Sequence, residues 1–336
     1  MTSSENTTIT TPLESKAITN TELSWFKKLI RTRELTLLLL IVGIVAVMSQ
    51  LSPYFLSMTN FRAVAIGLAP TAIIVVGMTL LLVSGGFDLS VGAVLAVSGT
   101  IAGMLMINGY SISMAVIITL FFGGIVGFVN GVIVTKLGVN PLVATLGTLS
   151  VVRGAGLVLT EGFSVTGLPK SFSFIGSESW GGIPLVVLVT IVIVVIGDLA
   201  LRHTRYFRQT YYIGTNESAA RLSGIAVHQV RISAYIITSV LAALAGILLA
   251  SRLMAGTPTA GNGLELQVLA AAVIGGASLS GGEGTIFGAF LGVIFVALIN
   301  NAMTMLDVSI YWQMVVTGVV LVLAVSLDQL LRRKRS

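Results

Sequence analysis

The residues of this sequence that could take part in covalent chemistry are few and scattered. The chain has no cysteine and only two histidines, His203 and His228, which excludes disulfides, thiolate metal sites and cysteine catalysis and argues against a zinc site. No Gly-x-x-x-x-Gly-Lys-[Ser/Thr] segment occurs, so the chain lacks that device for cradling nucleotide phosphates. We therefore expect no catalytic residue, no metal ligand and no cofactor on this chain.

Neutral polar side chains within apolar segments indicate a different chemistry, the binding of an uncharged solute. Amides and hydroxyls suit a polyol, whereas carriers driven by protons or sodium generally need buried carboxylates. Apart from acids at segment boundaries, Asp88 is the only acid close to the interior of such a segment. The alternative for each amide is a hydrogen bond between helices, worth about 1 kcal/mol. The polar residues at membrane depth are Asn130, Asn140, Thr145, Thr148, Asn300, Asn301 and Gln313.

A Gly-Gly-x-[Asp/Ser]-Leu-Ser-x-Gly sequence occurs twice, as GGFDLSVG from Gly85 and as GGASLSGG from Gly275. Each pair of glycines would end one helix, and Asp88 or Ser278 would cap the next. Ser280 and Glu283 also have the spacing of a capping box.

Helix N-termini that face a cavity can offer free N–H groups to a polar solute. The alternative is a tight turn without ligand contact. Together with the polar residues, these turns give the candidates for a translocation path or a helix break: Gly85, Gly86, Asp88, Ser90, Asn130, Asn140, Thr145, Gly275, Gly276, Ser278, Ser280 and Asn300.

The long polar interval in the centre of the chain, residues 201–231, carries five arginines against one acid, Glu217. Loops rich in Lys and Arg beside membrane spans stay on the cytoplasmic face. Asn216 to Leu222 is predicted to form one short helix, which Asn216 caps and which Gly224 ends in the left-handed conformation. Such a helix could fit a groove on another protein, and the alternative is an ordinary surface loop.

The composition is that of an integral membrane protein. The 336 residues are 55% hydrophobic and only 10% charged, with a mean hydropathy of +1.00, whereas soluble domains average about 25% charged residues. The formal charge of +6 does not indicate nucleic-acid binding, because the basic residues flank apolar segments.

The apolar segments predict an all-α membrane protein with about ten transmembrane helices, both termini cytoplasmic, and some spans short or broken. Of the 19 Lys and Arg residues, only Arg62, Arg153, Lys170 and Arg252 then lie off the inner side. One span more or fewer would place the central loop or the C-terminal basic run outside. The predicted spans lie near 35–51, 63–84, 89–107, 112–135, 141–160, 183–200, 232–250, 265–279, 285–304 and 309–331.

The domain organisation follows from these spans. Residues 1–24 are rich in Ser and Thr and are predicted to be disordered, and residues 25–34 alternate apolar and basic side chains, as in a helix lying on the cytoplasmic interface. The transmembrane domain covers 35–331, with the cytoplasmic loop at 201–231, and a basic tail covers 332–336.

The segment from Gly85 to Gly92 resembles the GGxDLSVG signature of the ribose-type sugar permeases of bacterial ATP-binding-cassette (ABC) importers. Phe87 stands where that family often has Ile, which bears on packing. The resemblance covers about residues 35–330. The other segments that resemble the family are GFVNG at 127–131, Asn140-Pro141, Thr145–Thr148 with Arg153-Gly154, Gly214–Ile225 and Ala272–Gly292.

The resemblance implies a multi-pass permease subunit in the bacterial inner membrane that moves a pentose or similar monosaccharide. It implies three partners besides the lipid bilayer: a cytoplasmic ATPase subunit with two cassettes, a periplasmic sugar-binding protein, and a second permease subunit, either a copy or a paralogue. The ATPase would supply hydrolysis, so this chain is not expected to be an enzyme. The family's coupling helix maps onto Gly214, Asn216, Glu217, Ala219, Ala220, Arg221, Ser223, Gly224 and Ile225.

Two other classes of protein would fit a polytopic chain of this kind. An ion-gradient-driven secondary carrier of a small polar solute would need neither ATP nor a second polypeptide. A membrane-embedded enzyme acting on a lipid would require clustered acids or histidines near the interface, and those residues are scattered here.

Overall fold

The structure, a computed structural model, describes residues 33–333. The predicted disordered tail 1–24, nearly all of the interfacial segment 25–34 and the end of the basic tail lie outside these residues. The described chain is mostly helical, and its only strands are β1 (Ser179–Trp180) and β2 (Ile183–Pro184), an antiparallel hairpin that pairs Ser179 with Pro184.

Each of the ten segments predicted as spans coincides with one helix. Seven of the described helices are long and apolar enough to cross a membrane, and three more are apolar but shorter over their described length, Val91–Ile107, Leu264–Ile274 and Ile310–Val320. The ten helices are α1 (Arg33–Leu51), α2 (Met58–Val83), α3 (Val91–Ile107), α4 (Ile112–Thr135), α5 (Pro141–Thr160), α7 (Leu185–His203), α10 (Val227–Leu253), α11 (Leu264–Ile274), α12 (Ile286–Met305) and α13 (Ile310–Arg333).

Three short helices complete the order of elements. A 3₁₀ turn at Lys170–Phe172 leads into α6 (Ser173–Ser177), next to the hairpin. The central loop forms α8 (Arg205–Thr215) and α9 (Glu217–Leu222), so it is helical along most of its length.

Helix α10 is the centre of the molecule and packs against α2, α3 and α4. Small residues allow this close packing, as is common between membrane helices. A Cβ at Gly127 of α4 would lie 2.5 Å from the Tyr235 carbonyl oxygen, and one at Gly99 of α3 would lie 2.9 Å from the Gly246 carbonyl oxygen. The position of α10 therefore fixes the central loop that precedes it relative to the core.

Candidate functional site

The short helix predicted in the central loop is present, as α9. Asn216 caps it by accepting a hydrogen bond from the Ala219 N–H at 3.0 Å. At its other end Gly224 has φ +80°, and the Gly224 and Ile225 N–H groups donate to the Arg221 and Ala220 carbonyls at 3.0 and 3.1 Å. These bonds form the Schellman arrangement that ends a helix at a left-handed glycine. The local predictions for Asn216 and Gly224 are confirmed.

One face of α9 is packed within the loop and the other is exposed. Ala220 is buried among Ile213, Val227 and Val230, and Ile225 packs against the same cluster. The opposite face exposes Leu222, whose side chain is 91% accessible. The remaining exposed residues of this segment include Ala219, Arg221, Ser223 and Gly224.

Ionic contacts connect α9 to the end of α2. Glu217 forms ion pairs with Arg221 at 2.7 Å and with Arg231 of α10 at 2.6 Å. The Arg231 guanidinium also donates to the Ser84 carbonyl from Nε at 3.1 Å and from Nη2 at 3.0 Å. Hydrogen bonding from Arg221, together with the charge and hydrogen bond of Arg231, lowers the pKa of Glu217 below its ordinary value. The lowered pKa keeps the Glu217 carboxylate charged. The contacts from Glu217 through Arg231 to the Ser84 carbonyl are called the relay below.

The second Gly-Gly turn meets the same loop through α8. Gly214 packs so closely on Val83, Gly281 and Gly282 that a side chain there would collide with their backbones. The Gly282 N–H donates to the Val83 carbonyl at 2.9 Å, which joins the two turns. Tyr211 donates its hydroxyl hydrogen to the Gly284 carbonyl at 2.7 Å. The central loop and both Gly-Gly turns thus form one contiguous junction.

The first Gly-Gly turn is held by a buried network around Asp88. Its Oδ1 accepts from the Ser90 N–H at 2.8 Å and the Ser90 hydroxyl at 2.6 Å. Asn130 of α4 donates at 3.3 Å and Ser239 of α10 at 3.4 Å to Oδ2. Thr145 of α5 accepts the Leu89 N–H at 3.1 Å. Four of the candidate residues, Asp88, Ser90, Asn130 and Thr145, are therefore brought together and fully buried.

The capping roles predicted for the two turns are wrong. Asp88 bonds the N–H two residues ahead, as in an Asx turn, while Ser90 occupies the cap position of α3 without a side-chain cap bond. Ser278 makes the equivalent bond to the Ser280 N–H at 3.2 Å. Helix α12 begins at Ile286 and is capped by Thr285, several residues beyond the turn, so Ser280 and Glu283 form no capping box there.

The glycines of the two turns allow the chain to reverse and allow neighbouring helices to pack closely against the turns. Gly85 and Gly276 have φ +80° and +100°, which favours glycine. Gly275 packs against the Gly288 carbonyl and Ala289 of α12, and a Cβ at Gly86 would lie 3.3 Å from the Tyr235 hydroxyl. Asn140 lies apart from these groups and caps α5 through the Leu142 N–H at 2.8 Å.

Two neighbouring cavities near the C-terminal end of α12 contain the remaining candidate, Asn300. One, of about 280 Å³, lies between α2, α11 and α12. The other, of about 310 Å³, lies between α11, α12 and α13. Asn300 and Gln267 line both cavities.

Sequence reasoning missed five residues of these sites. Arg231, Tyr235 and Ser239 lie at the start of an apolar segment, where they form a polar series at four-residue spacing on α10, the signal of a shared helix face. Leu222 stands at the end of the predicted short helix, and its exposure became visible only in the structure. Gln267 is a lone amide inside an apolar segment, the same signal that identified Asn300.

The chain is similar to known transport permeases. Residues 60–325 match the family model described as branched-chain amino acid transport system / permease component. The ribose import permease protein of Bacillus subtilis (strain 168) is 40% identical, over 85% of this chain and 89% of that protein. The D-allose and L-arabinose transport system permease proteins of Escherichia coli (strain K12) are 37% and 35% identical, over 86% and 82% of this chain and 90% and 84% of their own length. No solved structure matches.

Proposed function

The chain belongs to the branched-chain amino acid transport system / permease component family, and from that premise we propose that it is the membrane subunit of an ABC importer for a monosaccharide. Its curated relatives that import ribose, allose and arabinose support a pentose or a similar sugar as the cargo. In this proposal the chain lies in the bacterial inner membrane with ten spans and both termini cytoplasmic. A cytoplasmic ATPase, a periplasmic binding protein and a second permease subunit complete the importer.

The observation that carries the proposal is the junction between the central loop and the two Gly-Gly turns. Glu217 of α9 is paired with Arg231 of α10 at 2.6 Å, so the short helix is connected directly to the central core helix. The Arg231 guanidinium in turn holds the Ser84 carbonyl at the end of α2. Through Gly214 and Tyr211, the same loop also contacts the turn between α11 and α12.

The mechanism follows from this connectivity. ATP-driven closure of the cassettes moves the groove that holds α9, and α9 is too short and too tightly tied to its neighbours to absorb the displacement. The ion pair of Glu217 and Arg231 transmits it to the end of α2, and the contact of Gly214 with Gly281 and Gly282 transmits it to the ends of α11 and α12. The four helices α2, α3, α11 and α12 move with the turns, and the translocation path through the membrane changes the side to which it opens.

Leu222 is the side chain that would anchor the ATPase in this proposal. Burying a leucine contributes about 1.5–3 kcal/mol, and a carboxylate at its place would have to be desolvated without a partner. Leu222→Asp should therefore weaken binding of the ATPase to the membrane-embedded chain at least about tenfold and abolish ATP-dependent sugar uptake. The binding of purified ATPase to the chain in nanodiscs, with uptake into proteoliposomes, measures both effects.

Leu222→Met is the matched control because it keeps an apolar anchor of similar volume, and it should retain binding and uptake. Normal uptake by Leu222→Asp would contradict the coupling role of α9. Uphill uptake by the reconstituted chain alone, without ATPase, would instead favour an ion-gradient-driven carrier and overturn the proposed function.

A further inference from the structure

Gln267 and Asn300 are two polar side chains of the membrane helices whose hydrogen-bonding groups are not used within the described part of the protein. Gln267 lies in the first turn of α11, Asn300 lies near the end of α12, and the two residues share both cavities. Among the residues that the structure describes, no hydrogen bond engages the side-chain amide of either one. Two half-buried amides without protein partners therefore face the same space.

The amide side chains that surround Gln267 and Asn300 form hydrogen bonds with other residues of the protein. Asn301, next in sequence to Asn300, exchanges two hydrogen bonds with Asn60 at 2.8 and 3.1 Å. Gln313 donates to the Thr304 hydroxyl at 3.1 Å, and Asn262 accepts from Arg153 of α5. These side chains are held in place by the protein, whereas Gln267 and Asn300 keep their donors and acceptors available.

The cavity lining suits an uncharged, hydroxyl-rich ring. Neither cavity has a charged side chain in its lining, which argues against an inorganic ion or a phosphorylated solute. Amide groups both donate and accept, as sugar hydroxyls do, and threonine hydroxyls add further partners. Apolar side chains fill the rest of the lining and can cover the C–H faces of a sugar; they include Leu68, Leu266, Ile310 and Met314.

The cavities lie at the opposite end of α12 from the junction with the central loop. Asn300 is 14 residues beyond Ile286, the first residue of α12, which is about 21 Å along a helix axis. That length is most of the roughly 30 Å hydrocarbon thickness of a bilayer. With the central loop on the cytoplasmic side, the two cavities open near the outer surface.

We propose that Gln267 and Asn300 form an outer vestibule that binds the monosaccharide released from the binding protein, through hydrogen bonds from their amides to the sugar hydroxyls. This inference rests on the proposed function, and it adds the residues and the interaction that select an uncharged sugar. In this proposal the sugar binds to residues of α11 and α12, and the Gly281–Gly284 turn moves the same two helices.

The absence of cysteine from the natural chain allows a direct test in cells that carry the whole importer. Asn300→Cys and Gln267→Cys should each react with a membrane-impermeant maleimide added outside, and D-ribose, D-allose or L-arabinose should slow the labelling at least about threefold. Ser179→Cys, in the exposed hairpin, is the control: it should be labelled at a rate that none of the sugars changes. The proposal would be wrong if neither Asn300→Cys nor Gln267→Cys is labelled. It would also be wrong if none of the three sugars slows the labelling.

Uptake of the protecting sugar provides the second measurement. Losing one hydrogen bond to a neutral partner should raise the KM for uptake about fivefold in Asn300→Ala and in Gln267→Ala, with the maximal rate of ATP hydrolysis retained. Asn108→Ala, which removes an exposed amide whose one hydrogen bond among the described residues is to the Met104 carbonyl, should leave the KM unchanged. An unchanged KM in both vestibule variants would overturn the inference, whereas absence of ATP-dependent uptake by the unaltered importer would overturn the proposed function itself.

Discussion

Arg231 is the residue on which several contacts of the junction converge. Its side chain is only 20% exposed and binds both Glu217 of α9 and the carbonyl of Ser84. Tyr235, one helical turn further, donates to the Phe87 carbonyl at 3.1 Å, and Ser239, a turn beyond that, reaches Asp88. Three residues of one face of α10 therefore hold successive parts of the first Gly-Gly turn.

Replacement of Arg231 tests whether this contact transmits motion. Arg231→Gln removes the charge that pairs with Glu217, and hydrogen bonds to charged groups contribute roughly 1.5–3 kcal/mol. We expect sugar uptake per ATP hydrolysed to fall about tenfold while the ATPase still binds, and we expect Arg231→Lys to restore part of the loss. Uptake and ATP hydrolysis measured together in proteoliposomes check the ratio.

Arg208→Gln is the matched control, because Arg208 is exposed in the same loop and its guanidinium makes no hydrogen bond among the described residues. Equal effects of the two substitutions would show that general loss of positive charge, and not the relay, lowers uptake. A proportional loss of uptake and hydrolysis in Arg231→Gln would point to lost binding of the ATPase.

Residue roles were predictable from sequence where the interaction is local. Asn216 and Gly224 act within a few residues of themselves, so residue type and spacing were sufficient. The residue types of Asp88 and Ser278 predicted helix caps, but α3 begins three residues after Asp88 and α12 begins eight residues after Ser278. Their true partners depend on where α3 and α12 begin, and on Asn130 and Ser239, which are distant in sequence.

At the scale of elements, glycine contacts set the distance between α4 and α10. A Cβ at Gly127 would meet the Tyr235 carbonyl oxygen at 2.5 Å and the Ile236 Cα at 2.7 Å, both backbone atoms that cannot rotate away. Overpacking of this kind costs about 1–3 kcal/mol. Because Asn130 of α4 and Ser239 of α10 both bond Asp88, the spacing of the two helices also controls the buried network.

Gly127→Ala should therefore lower the thermal unfolding midpoint of the purified chain by several degrees and reduce its yield. Gly124→Ala is the control on the same helix, since its Cβ would meet only the Val240 side chain, at 3.7 Å. Both substitutions gain the same helix propensity, so the difference between them isolates the contact with α10. A Gly127→Ala chain as stable as Gly124→Ala would show that α10 can move aside without loss.

At the scale of the whole molecule, the order of helices places each loop on one side of the membrane. The two Gly-Gly turns and the central loop are in contact, so they must lie on the same side. In the ten-span count, four spans lie between the first Gly-Gly turn and the central loop, and two lie between the central loop and the second turn. Both numbers are even, so the count also places all three on one side. This agreement between contacts and counting is independent of the charge argument that led to ten spans.

Cysteine labelling tests this arrangement in the naturally cysteine-free chain. Ser179→Cys should react with an impermeant thiol reagent in intact cells, whereas Ser223→Cys, exposed next to α9, should react only after the membrane is opened. Labelling of Ser223→Cys in intact cells would place the central loop outside and contradict the ten-span arrangement.

The positions of the helices were predictable because hydropathy is a property of each segment. The predicted spans coincide with ten helices, and the shortness expected of some spans is seen in α11, which has 11 residues, about 17 Å of helix. The contacts among the helices were not predictable, since they arise from glycine packing and from hydrogen bonds and ionic contacts between residues that are distant in sequence. Arg231 and Ser84, separated by 147 positions, are one example.

The buried carboxylate of Asp88 has a consequence for biogenesis. When α3 leaves the ribosome, Asp88 has only the Ser90 groups as partners; the amide of Asn130 is synthesised later, and the hydroxyl of Ser239 follows more than a hundred residues after that. A carboxylate without hydrogen-bond partners is costly to bury, so we expect the Asp88 side chain to stay in contact with water until α10 has been inserted. The first Gly-Gly turn can therefore be completed only after α10, which supplies Arg231, Tyr235 and Ser239 to it, has packed against the earlier helices.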